Sequence, residues 1–440
     1  MAGVTNPALL IGEAADLLGV SIDTVRRWEK KGLIRAQRGV RGERRFEKRA
    51  LEAVAGRGGN AMGWKVLRAD RSELRSIELF CGAGGLALGM HNAGFDHEMV
   101  VDFDRDCINT VLDNKPGWNP IQGSVTDLDL SSYEGQIDVL AGGFPCQAFS
   151  YAGRGKGFED ARGTLFYDFA RLIDQVQPRL VIGENVRGLI AHDGGRTLWT
   201  MVDILTNLGY KVRFKLLRSQ FLDVPQKRER LVIFALRDLE AAEIEFPAEK
   251  NYIIPLRQAL EGVPESAGSS YSEEKLRILA QVPEGGYWRD LPPQDQVKYM
   301  GASLHLSGGK TGMARRLAWD EPSLTLTCSP AQKQTERCHP SETRPLTVRE
   351  YARIQTFPDS WVFTGSTASQ YRQIGNAVPV NLGYHIGLAA RAILGQPAKR
   401  AAARSQLEMA EEPILQPQNE RYGLEQADRQ KLEHEGDEYD

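Results

Sequence analysis

The chain is predicted to fold as an α/β protein around an open, mainly parallel sheet. Apolar runs rich in β-branched and aromatic residues recur at "SIELF", "EMVVDFD", "IDVLAGG", "RLVIGEN", "KVRFKLL" and "RLVIFAL". Helical patterns such as "TLFYDFARLIDQV" and "TLWTMVDILTNLG" lie between several of these runs. Strands that are apolar throughout are buried on both faces, and their alternation with helices is typical of a parallel α/β sheet.

The composition indicates a soluble globular protein. Of the 440 residues, 41% are hydrophobic and 26% are charged, and this length suits two or three domains. No stretch approaches ~20 consecutive apolar residues, so we expect no transmembrane helix and no membrane partner. The amino-terminal segment lacks a basic region followed by an apolar block, so it does not predict a signal peptide.

The cysteines favour a reducing, cytoplasmic compartment. Their number is odd and their spacing wide, which argues against a disulfide framework: Cys81, Cys107, Cys146, Cys328 and Cys338. Cys328 and Cys338 have nine residues between them, which is not the spacing of zinc ligands, and no metal is predicted.

The charge is distributed unevenly along the chain. The formal net charge is −3, but residues 25–49 contain 11 Lys/Arg against 3 Asp/Glu. Residues 403–440 contain 4 Lys/Arg against 11 Asp/Glu. Local charge matters more for partners than the sum, so the basic segment is a candidate nucleic-acid contact.

The basic segment lies in a small helical unit, residues 8–56. "IGEAADLLG" has helical apolar spacing, and "SIDTVRRWEKKG" begins with an N-cap serine and ends in a C-cap glycine. Two short helices joined by a tight turn predict a helix-turn-helix, and the arginine-rich, hairpin-like "LIRAQRGVRGERRF" follows it. These residues resemble the winged-helix module of mercury-resistance-type regulators and phage excisionases.

The resemblance implies contacts with double-stranded DNA. The second helix would enter the major groove, and the wing would meet phosphates or a minor groove. The candidate residues of the helix are Thr24, Arg26, Arg27 and Lys30, and those of the wing are Arg41, Arg44 and Arg45. A solvated basic face on a protein-docking module is the alternative.

The rest of the chain divides by composition. Residues 57–73 are glycine-rich and polar, and predict a linker. The α/β unit occupies residues 74–245 and 339–396, and is interrupted by the turn-rich residues 246–338. Residues 397–440 are polar, acidic and low in aromatic residues, and predict a disordered tail.

A glycine turn and an acidic residue predict a nucleoside-containing cofactor. The first strand of the sheet ends in "FCGAGGLALGMHNAG", where Gly82, Gly84 and Gly85 allow a backbone to approach a ligand closely. The next strand ends in "VDFD", which places Asp102 about 20 residues on, where it can bind ribose hydroxyls. Phe103 could stack on adenine. The spacing is not G-x-G-x-x-G, so an ordinary sheet edge remains the alternative.

A lone cysteine lies in a loop after a strand, in "GGFPCQAFS". A thiolate is a strong nucleophile, and open sheets bind ligands at the carboxyl ends of their strands. The strand that ends in "GENV" places Glu184 at the same edge, where it could face the substrate of Cys146. "VPQKRERLVIF" puts Arg228 and Arg230 at the mouth of a later strand, on one face by alternation.

These stretches resemble the DNA (cytosine-5)-methyltransferases. "FCGAGG", "GGFPCQAFSYAGRGKGFEDARGTLF", "GENVRGL", "VPQKRERLVIF", "RPLTVREYARIQTFPD" and "QIGNAVPV" occur in the family's order, over roughly residues 75–396. The resemblance implies a Rossmann-like, S-adenosylmethionine-dependent methyltransferase fold with a small target-recognition domain. Residues 74–245 and 339–396 would be the catalytic domain, and residues 246–338 the target-recognition region.

The resemblance also implies a mechanism. Cys146 would add to C6 of cytosine, Glu184 would donate a proton or a hydrogen bond to N3, and Arg230 would hold O2. The activated C5 would then take the methyl group of the sulfonium. The base would be flipped out of the duplex, as in other enzymes that act on bases. The other residues of the catalytic set are Arg228, Pro145, Gln147 and Asn185.

The cofactor pocket implied by the resemblance draws on both ends of the catalytic domain. Its residues would be Phe80, Gly82, Gly84, Gly85, Leu86, Asp102, Phe103, Ser124, Val125, Phe144, Asn376 and Ala377. Many family members carry an aspartate for the adenine amino group where this chain has Ser124. Asp127 lies three residues on, so that contact is open between the two.

Further DNA contacts are expected outside the amino-terminal unit. Residues 150–163 match the family's closing loop, in which Arg154 or Lys156 could meet the DNA backbone. The stretch "GGKTGMARRLAW" in residues 246–338 offers Lys310, Arg315 and Arg316.

The interpretation favoured by the sequence is the modification enzyme of a restriction–modification system. It would act as a monomer on duplex DNA in the cytoplasm, associated with the nucleoid, beside a cognate endonuclease. A tRNA methyltransferase of the same family and a transcription regulator that represses its own promoter are the alternatives, and the regulator role is compatible with methylation. A nicotinamide dehydrogenase would leave "PCQ", "ENV" and "QKRER" unexplained.

Overall fold

A computed structural model describes most of the chain. The described residues are 8–18, 22, 25–26, 29, 36–39, 42–47, 66–145, 165–237, 243–305 and 310–395. Several predictions fall outside them and stay predictions: Cys146, Gln147, Thr24, Arg27, Lys30, Arg41, Arg154, Lys156 and the tail 397–440. Within the described part, no helix is both long and apolar enough to cross a membrane.

The described part of residues 8–47, here called the head, pairs a helix with a small sheet. Its elements are β1 (Ala8–Leu10), α1 (Ile11–Leu18), β2 (Gln37–Arg38) and β3 (Arg44–Glu47). The strands are antiparallel in the order β1-β3-β2. Helix α1 coincides with the predicted "IGEAADLLG", and the Glu13 carboxylate accepts a hydrogen bond from the Leu10 N–H at its start.

The apolar core of the head includes two side chains from the rest of the protein. Ala14, Val25 and Phe46 are buried in one cluster with Phe221 and Ile253. The head alone contributes few large apolar residues to this cluster. The head therefore packs on the larger unit through Phe221 and Ile253, which the prediction of a linker at residues 57–73 did not anticipate.

The larger unit is built on one seven-stranded sheet. Its strands, with a separate two-stranded pair, are β4 (Arg75–Leu79), β5 (Asp96–Asp102), β6 (Pro120–Gln122), β7 (Val139–Gly142), β8 (Leu180–Val186), β9 (Lys211–Arg218), β10 (Gln226–Lys227), β11 (Glu229–Leu236) and β12 (Ser323–Leu324). The sheet order is β6-β5-β4-β7-β8-β11-β9, and β10 pairs with β12. All six apolar runs are strands of this sheet, which confirms the α/β prediction.

One strand departs from the parallel arrangement. β4 to β8 pair in parallel, whereas β11 is antiparallel to both β8 and β9. A parallel connection between neighbouring strands needs a crossover of about a dozen residues or more. Only residues 219–228 join β9 to its neighbour β11, so this pair is antiparallel.

Helices cover both faces of the sheet. The described α-helices outside the head are α2 (Gly85–Asn92), α3 (Arg105–Asn114), α4 (Leu165–Val176), α5 (Arg196–Asn207), α6 (Leu256–Leu260), α7 (Glu273–Leu279), α8 (Pro293–Met300), α9 (Val348–Ile354), α10 (Thr367–Asn376) and α11 (Val380–Gly395), of which α7 and α8 belong to the turn-rich region and not to the faces of the sheet. Along β7, Leu140 packs into the core under α4 and α5, while Val139 and Ala141 pack into the core under α2 and α11. Because successive side chains of a strand point to opposite faces of the sheet, one apolar run contributes to both cores.

The turn-rich residues 246–338 have a small core of their own. Tyr271, Leu279, Trp288 and Cys338 are buried in one cluster. Leu256 and Leu326 instead pack with α9 and α10 against the main sheet unit. The region is thus partly separate and partly continuous with the sheet unit, and its predicted boundaries stay a prediction.

Substitution of Phe221 by Asp is expected to release the head. Burial of a Phe side chain contributes about 1.5–3 kcal/mol, so cleavage by trypsin between head and sheet unit should rise roughly tenfold or more. Val297→Asp is the matched control, because Val297 is exposed. Equal cleavage rates in both variants, measured on gels over time, would contradict the packing of the head on Phe221.

Candidate active site and cofactor pocket

The predicted site residues meet at one edge of the sheet. β4, β5, β7 and β8 run parallel, so their carboxyl ends lie side by side. The glycine turn follows β4, Asp102 ends β5, and residues 143–145 follow β7. Glu184 lies near the end of β8. This edge is the usual ligand site of open α/β sheets.

The turn after β4 has an unusual backbone. Phe80, Gly82 and Gly84 have φ angles of 57°, 53° and 79°. The left-handed region suits glycine, and a phenylalanine there is strained, which is frequent at functional sites. A Cβ added at Gly82 would meet nothing within 4 Å, so the turn borders open space there. This space can accept a ligand beside the backbone.

Asp102 and Phe103 lie next to that turn. Asp102 is buried, and its Oδ2 and Oδ1 accept hydrogen bonds from the backbone N–H groups of Gly82 and Asp104, both at 2.8 Å. Burial raises the pKa of the Asp102 carboxyl, and these hydrogen bonds oppose the rise. The Phe103 side chain is 77% exposed, so its ring is available for stacking. An acceptor and a free aromatic ring thus lie side by side.

The carboxyl-terminal part of the sheet unit, which contains α9, α10 and α11, packs against the same turn. A Cβ added at Gly85 would lie 2.2 Å from the Val378 carbonyl oxygen and 3.1 Å from the Ala377 Cβ. Gly85 therefore allows α2 to begin directly against the residues after α10. Asn376 is exposed, and its Oδ1 accepts a hydrogen bond from the Cys328 thiol at 3.0 Å. The predicted Gly85, Asn376 and Ala377 are thus brought to one place.

Three other predicted cofactor residues face away from the edge or bind within a turn. The side chains of Leu86 and Val125 are buried in the two cores of the sheet. The Ser124 hydroxyl accepts a hydrogen bond from the Thr126 N–H, and Asp127 accepts one from the Thr126 hydroxyl. Ser124 and Asp127 share one turn, and the contact with an adenine amino group stays a prediction.

The loop after β7 is anchored before it reaches Cys146. The Phe144 ring is buried, with its centroid 5.0 Å from that of Phe166 and 5.6 Å from that of Phe169. The Asn185 Nδ2 donates to the Phe144 backbone carbonyl at 2.8 Å, and the Asn185 side-chain Oδ1 accepts from the Val186 N–H. Asn185 therefore positions the backbone that leads into Pro145, which is exposed.

Glu184 and Arg230 form a buried ion pair. In the antiparallel register Glu184 lies opposite Val232 and Arg230 opposite Val186, so the two side chains are diagonal neighbours. Arg230 Nε lies 2.7 Å from Glu184 Oε1, and the side chains are 12% and 11% exposed. Burial lowers the pKa of Arg230, and the Glu184 carboxylate opposes this. The pair holds the carboxyl group in one orientation.

Gly143 brings the loop close to this pair. A Cβ added at Gly143 would lie 3.1 Å from Glu184 Oε2. A larger residue would crowd the carboxylate, so the second glycine of "GGFPC" lets the loop pass beside it. The sequence analysis did not single out Gly143, although the paired glycines were a visible signal.

The structure assigns Arg228 a role different from the predicted one. Arg228 precedes β11, is buried, and donates to the carbonyls of Leu326, Gly375 and Ala377 at 3.0–3.2 Å. It does not share the orientation of Arg230, because alternation applies only from Glu229, where the strand begins. Arg228 binds the backbone of the carboxyl-terminal part to the sheet, and its place in the reacting set stays a prediction.

Arg316, predicted as a DNA contact, is buried, and that contact stays a prediction. Arg316 is 4% exposed. Its guanidinium donates to acceptors on Val282, His339, Glu342, Leu279 and Thr343. A guanidinium with these partners stabilises loop carbonyls and is not presented to a phosphate. Composition alone could not distinguish it from its neighbour Arg315.

Arg315 and Lys310 stay predictions as DNA contacts. The Arg315 guanidinium lies 5.8 Å from the centre of the Tyr287 ring, and burial lowers its pKa. Lys310 is partly buried and has a left-handed backbone. Both lie in the region with its own small core.

The described basic residues of the head differ in their surroundings. Arg26 is exposed. Arg44 Nε lies 2.5 Å from Glu29, and Arg45 Nε lies 2.8 Å from Glu43. The two wing arginines are therefore partly neutralised by acidic neighbours.

Family models match two separate parts of the chain. The model described as "C-5 cytosine-specific DNA methylase" matches residues 74–391. The model described as "MerR family regulatory protein" matches residues 10–46. The two matches coincide with the sheet unit and the head.

The chain is also similar to individual bacterial proteins over most of its length. The chain is 50% identical over 405 residues to the type II methyltransferase M.Eco47II of Escherichia coli, covering 89% of this chain and 97% of that one. It is 52% identical over 312 residues to M.PspPI of a Psychrobacter species, covering 69% of this chain and 75% of that one.

A solved structure is similar in fold. The Dnmt2 methyltransferase of S. pombe superposes with a TM-score of 0.55 at 17% identity, covering 73% of this chain and all of that one. The family match covers well over half of this chain, and the glycine turn, Asp102, Glu184 and Arg230 lie within it. The chain therefore belongs to the C-5 cytosine-specific DNA methylase family, as an enzyme that methylates cytosine in DNA.

Proposed function

We propose that this chain methylates C5 of a flipped-out cytosine in a short site of duplex DNA, through a covalent bond between Cys146 and C6. The observation that carries the proposal is the buried Glu184–Arg230 pair beside the loop that leads to Cys146. Cys146 follows Gly143 by three positions, and three extended residues span at most about 10 Å. The thiol can thus reach a base that the pair binds.

The pair and the thiol have complementary tasks. As the Cys146 thiolate adds to C6, negative charge develops on the ring, and a proton or hydrogen bond from Glu184 at N3 offsets it. Arg230 binds Glu184 Oε1 and orients the carboxyl group, while it holds the cytosine O2. After methylation a base removes the C5 proton, and the C6–S bond breaks to regenerate the thiolate. Asn185 and Phe144 hold the loop in place during these steps.

The family implies S-adenosylmethionine as the cofactor, and the edge of the sheet fits it. Open space at Gly82, the Asp102 carboxylate and the exposed Phe103 ring are suited to a methionine part, a ribose and an adenine. S-adenosylmethionine supplies the methyl group. Gly84 and Gly85 shape the turn and let the carboxyl-terminal part approach it.

The remaining assignments extend the same proposal. Residues 150–163 would close over the flipped base, and residues 246–338 would recognise the target, with Lys310 and Arg315 as contacts. Residues 74–245 and 339–396 would form the catalytic domain. The printed names of the bacterial relatives, type II methyltransferases, support a role in restriction–modification beside a cognate endonuclease. The enzyme would act as a monomer on DNA in the cytoplasm, associated with the nucleoid.

A regulatory role of the head is the second candidate function. The match to a MerR family model over residues 10–46 supports sequence-specific DNA binding by the head. A modification enzyme must stay in balance with its nuclease, so the head would bind and repress the enzyme's own promoter. A contribution of the head to target binding is the competing outcome.

Bisulfite sequencing tests the enzymatic proposal. DNA from a methylation-free host that expresses the chain should contain one recurring sequence protected from conversion, and Cys146→Ala should reduce methylation by roughly a thousandfold or more. Protection in the Cys146→Ala strain would refute the covalent mechanism. The absence of any protected cytosine with soluble wild-type protein would direct the search to tRNA.

Glu184→Gln tests the proton donor. It should slow methylation by roughly a hundredfold to ten-thousandfold, because an amide keeps the shape but cannot donate a proton in the same way. DNA and cofactor affinities should stay close to wild type, measured by gel shift and calorimetry. A mild effect on the single-turnover rate would assign proton donation to another group.

Arg26→Glu tests the head. Affinity for the promoter should fall, and the slope of log K against log salt should decrease in magnitude by about one, since a phosphate contact is lost. The single-turnover methylation rate should stay unchanged. Arg213→Glu, an exposed change on β9, is the control. Equal promoter binding by Arg26→Glu and wild type would remove Arg26 from the DNA contacts.

A further inference from the structure

We propose that Arg372 is a positioning residue of the cofactor pocket. It binds Asp104 and so holds the turn that carries Asp102 and Phe103 against α10, which ends at Asn376. The proposal rests on the proposed cofactor role of this edge. It assigns a function to a residue that carried no signal in the sequence, because its partner lies 268 residues away.

The contact joins the two halves of the pocket. Arg372 Nη2 donates to Asp104 Oδ2 at 3.1 Å and to the Ser369 hydroxyl at 3.3 Å. Arg372 lies four residues before Asn376 on α10, so the two share one face of the helix. The ion pair therefore lies one helical turn from the residue expected at the cofactor.

Asp104 binds Asp102 as well as Arg372, so it links the ion pair to Asp102. Its Oδ1 caps α3 by accepting from the N–H groups of Asp106 and Cys107 at 2.9 and 3.4 Å. Its own N–H donates to Asp102 Oδ1, while Gly82 donates to Asp102 Oδ2. A continuous set of bonds thus leads from Arg372 through Asp104 and Asp102 to the glycine turn.

A second set of contacts also holds α3 to the carboxyl-terminal part, and its buried Thr110–Gln373 bond does not involve Arg372. Asp106 Oδ2 accepts from the Ser369 hydroxyl at 2.5 Å, and the Thr110 hydroxyl donates to Gln373 Oε1 at 2.7 Å. Thr110 and Gln373 are buried, unlike Arg372. Loss of Arg372 should therefore leave the fold intact and affect mainly the exposed end of this contact, where the cofactor binds.

The expected effect is modest, since the ion pair is partly exposed. The side chains of Arg372 and Asp104 are 49% and 23% exposed. Pairs of this kind contribute little to global stability. If the small free energy of this ion pair is lost from cofactor binding, the affinity for the cofactor should decrease about two- to fivefold.

Calorimetric titration of the full chain with S-adenosylhomocysteine, the demethylated cofactor, tests the proposal. Arg372→Ala and Asp104→Asn should each raise Kd about two- to fivefold, with kcat at saturating S-adenosylmethionine unchanged. Asn still caps a helix through its Oδ1, while its NH2 group replaces the oxygen that accepts from Arg372, so Asp104→Asn keeps the cap and removes the pair. The double variant should bind as each single variant does, because both remove one interaction. Arg372→Lys should recover part of the affinity.

Arg105→Ala is the matched control, because Arg105 is an exposed neighbour at the start of α3 and should bind as wild type does. Unchanged Kd in both test variants, or losses that add in the double variant, would overturn the proposal. A lowered melting temperature with unchanged Kd would assign Arg372 to stability alone and also overturn it. Failure of the wild-type chain to bind either cofactor form would overturn the proposed function itself.

Discussion

The buried ion pair of Glu184 and Arg230 is the interaction on which the rest of the site depends. Transfer of one charge from water to a protein interior is costly, and it is tolerated when an opposite charge with good geometry lies beside it. The antiparallel pairing of β8 with β11 brings these side chains together, and the register places them as diagonal neighbours. Removal of either partner would leave an uncompensated charge at the centre of the site. Hence the strand order is also a requirement of the chemistry.

Neighbouring elements adapt to this pair. Gly143 keeps the loop after β7 beside the Glu184 carboxylate, and Asn185 holds the same loop through the Phe144 carbonyl. Arg228 binds three carbonyls, two of which belong to the residues at the end of α10. One arginine of this segment therefore pairs with Glu184, and the other binds the carboxyl-terminal part to the sheet. Both depend on the short β9–β11 connection.

The proposed cofactor pocket is likewise built largely from backbone. Its floor is a turn with three left-handed residues, and its walls come from β5 and from the residues after α10. Contacts between α3 and α10 join these distant parts of the chain, so the pocket is formed only when the carboxyl-terminal part folds back on the first half. The head is attached in a comparable way, since its core includes Phe221 and Ile253.

The sequence by itself determined the α/β class, six of the seven strands of the sheet and the place of Asp102, Glu184 and Arg230, because apolar periodicity and short motifs are local signals. Tertiary structure decided which polar residues are buried and what they bind. Arg315 and Arg316 are adjacent and chemically alike, yet Arg316 is enclosed by carbonyls and Arg315 lies against an aromatic ring. Arg228, Arg372 and the packing of the head were likewise unpredictable, because their partners are distant in sequence and only folding brings them within reach.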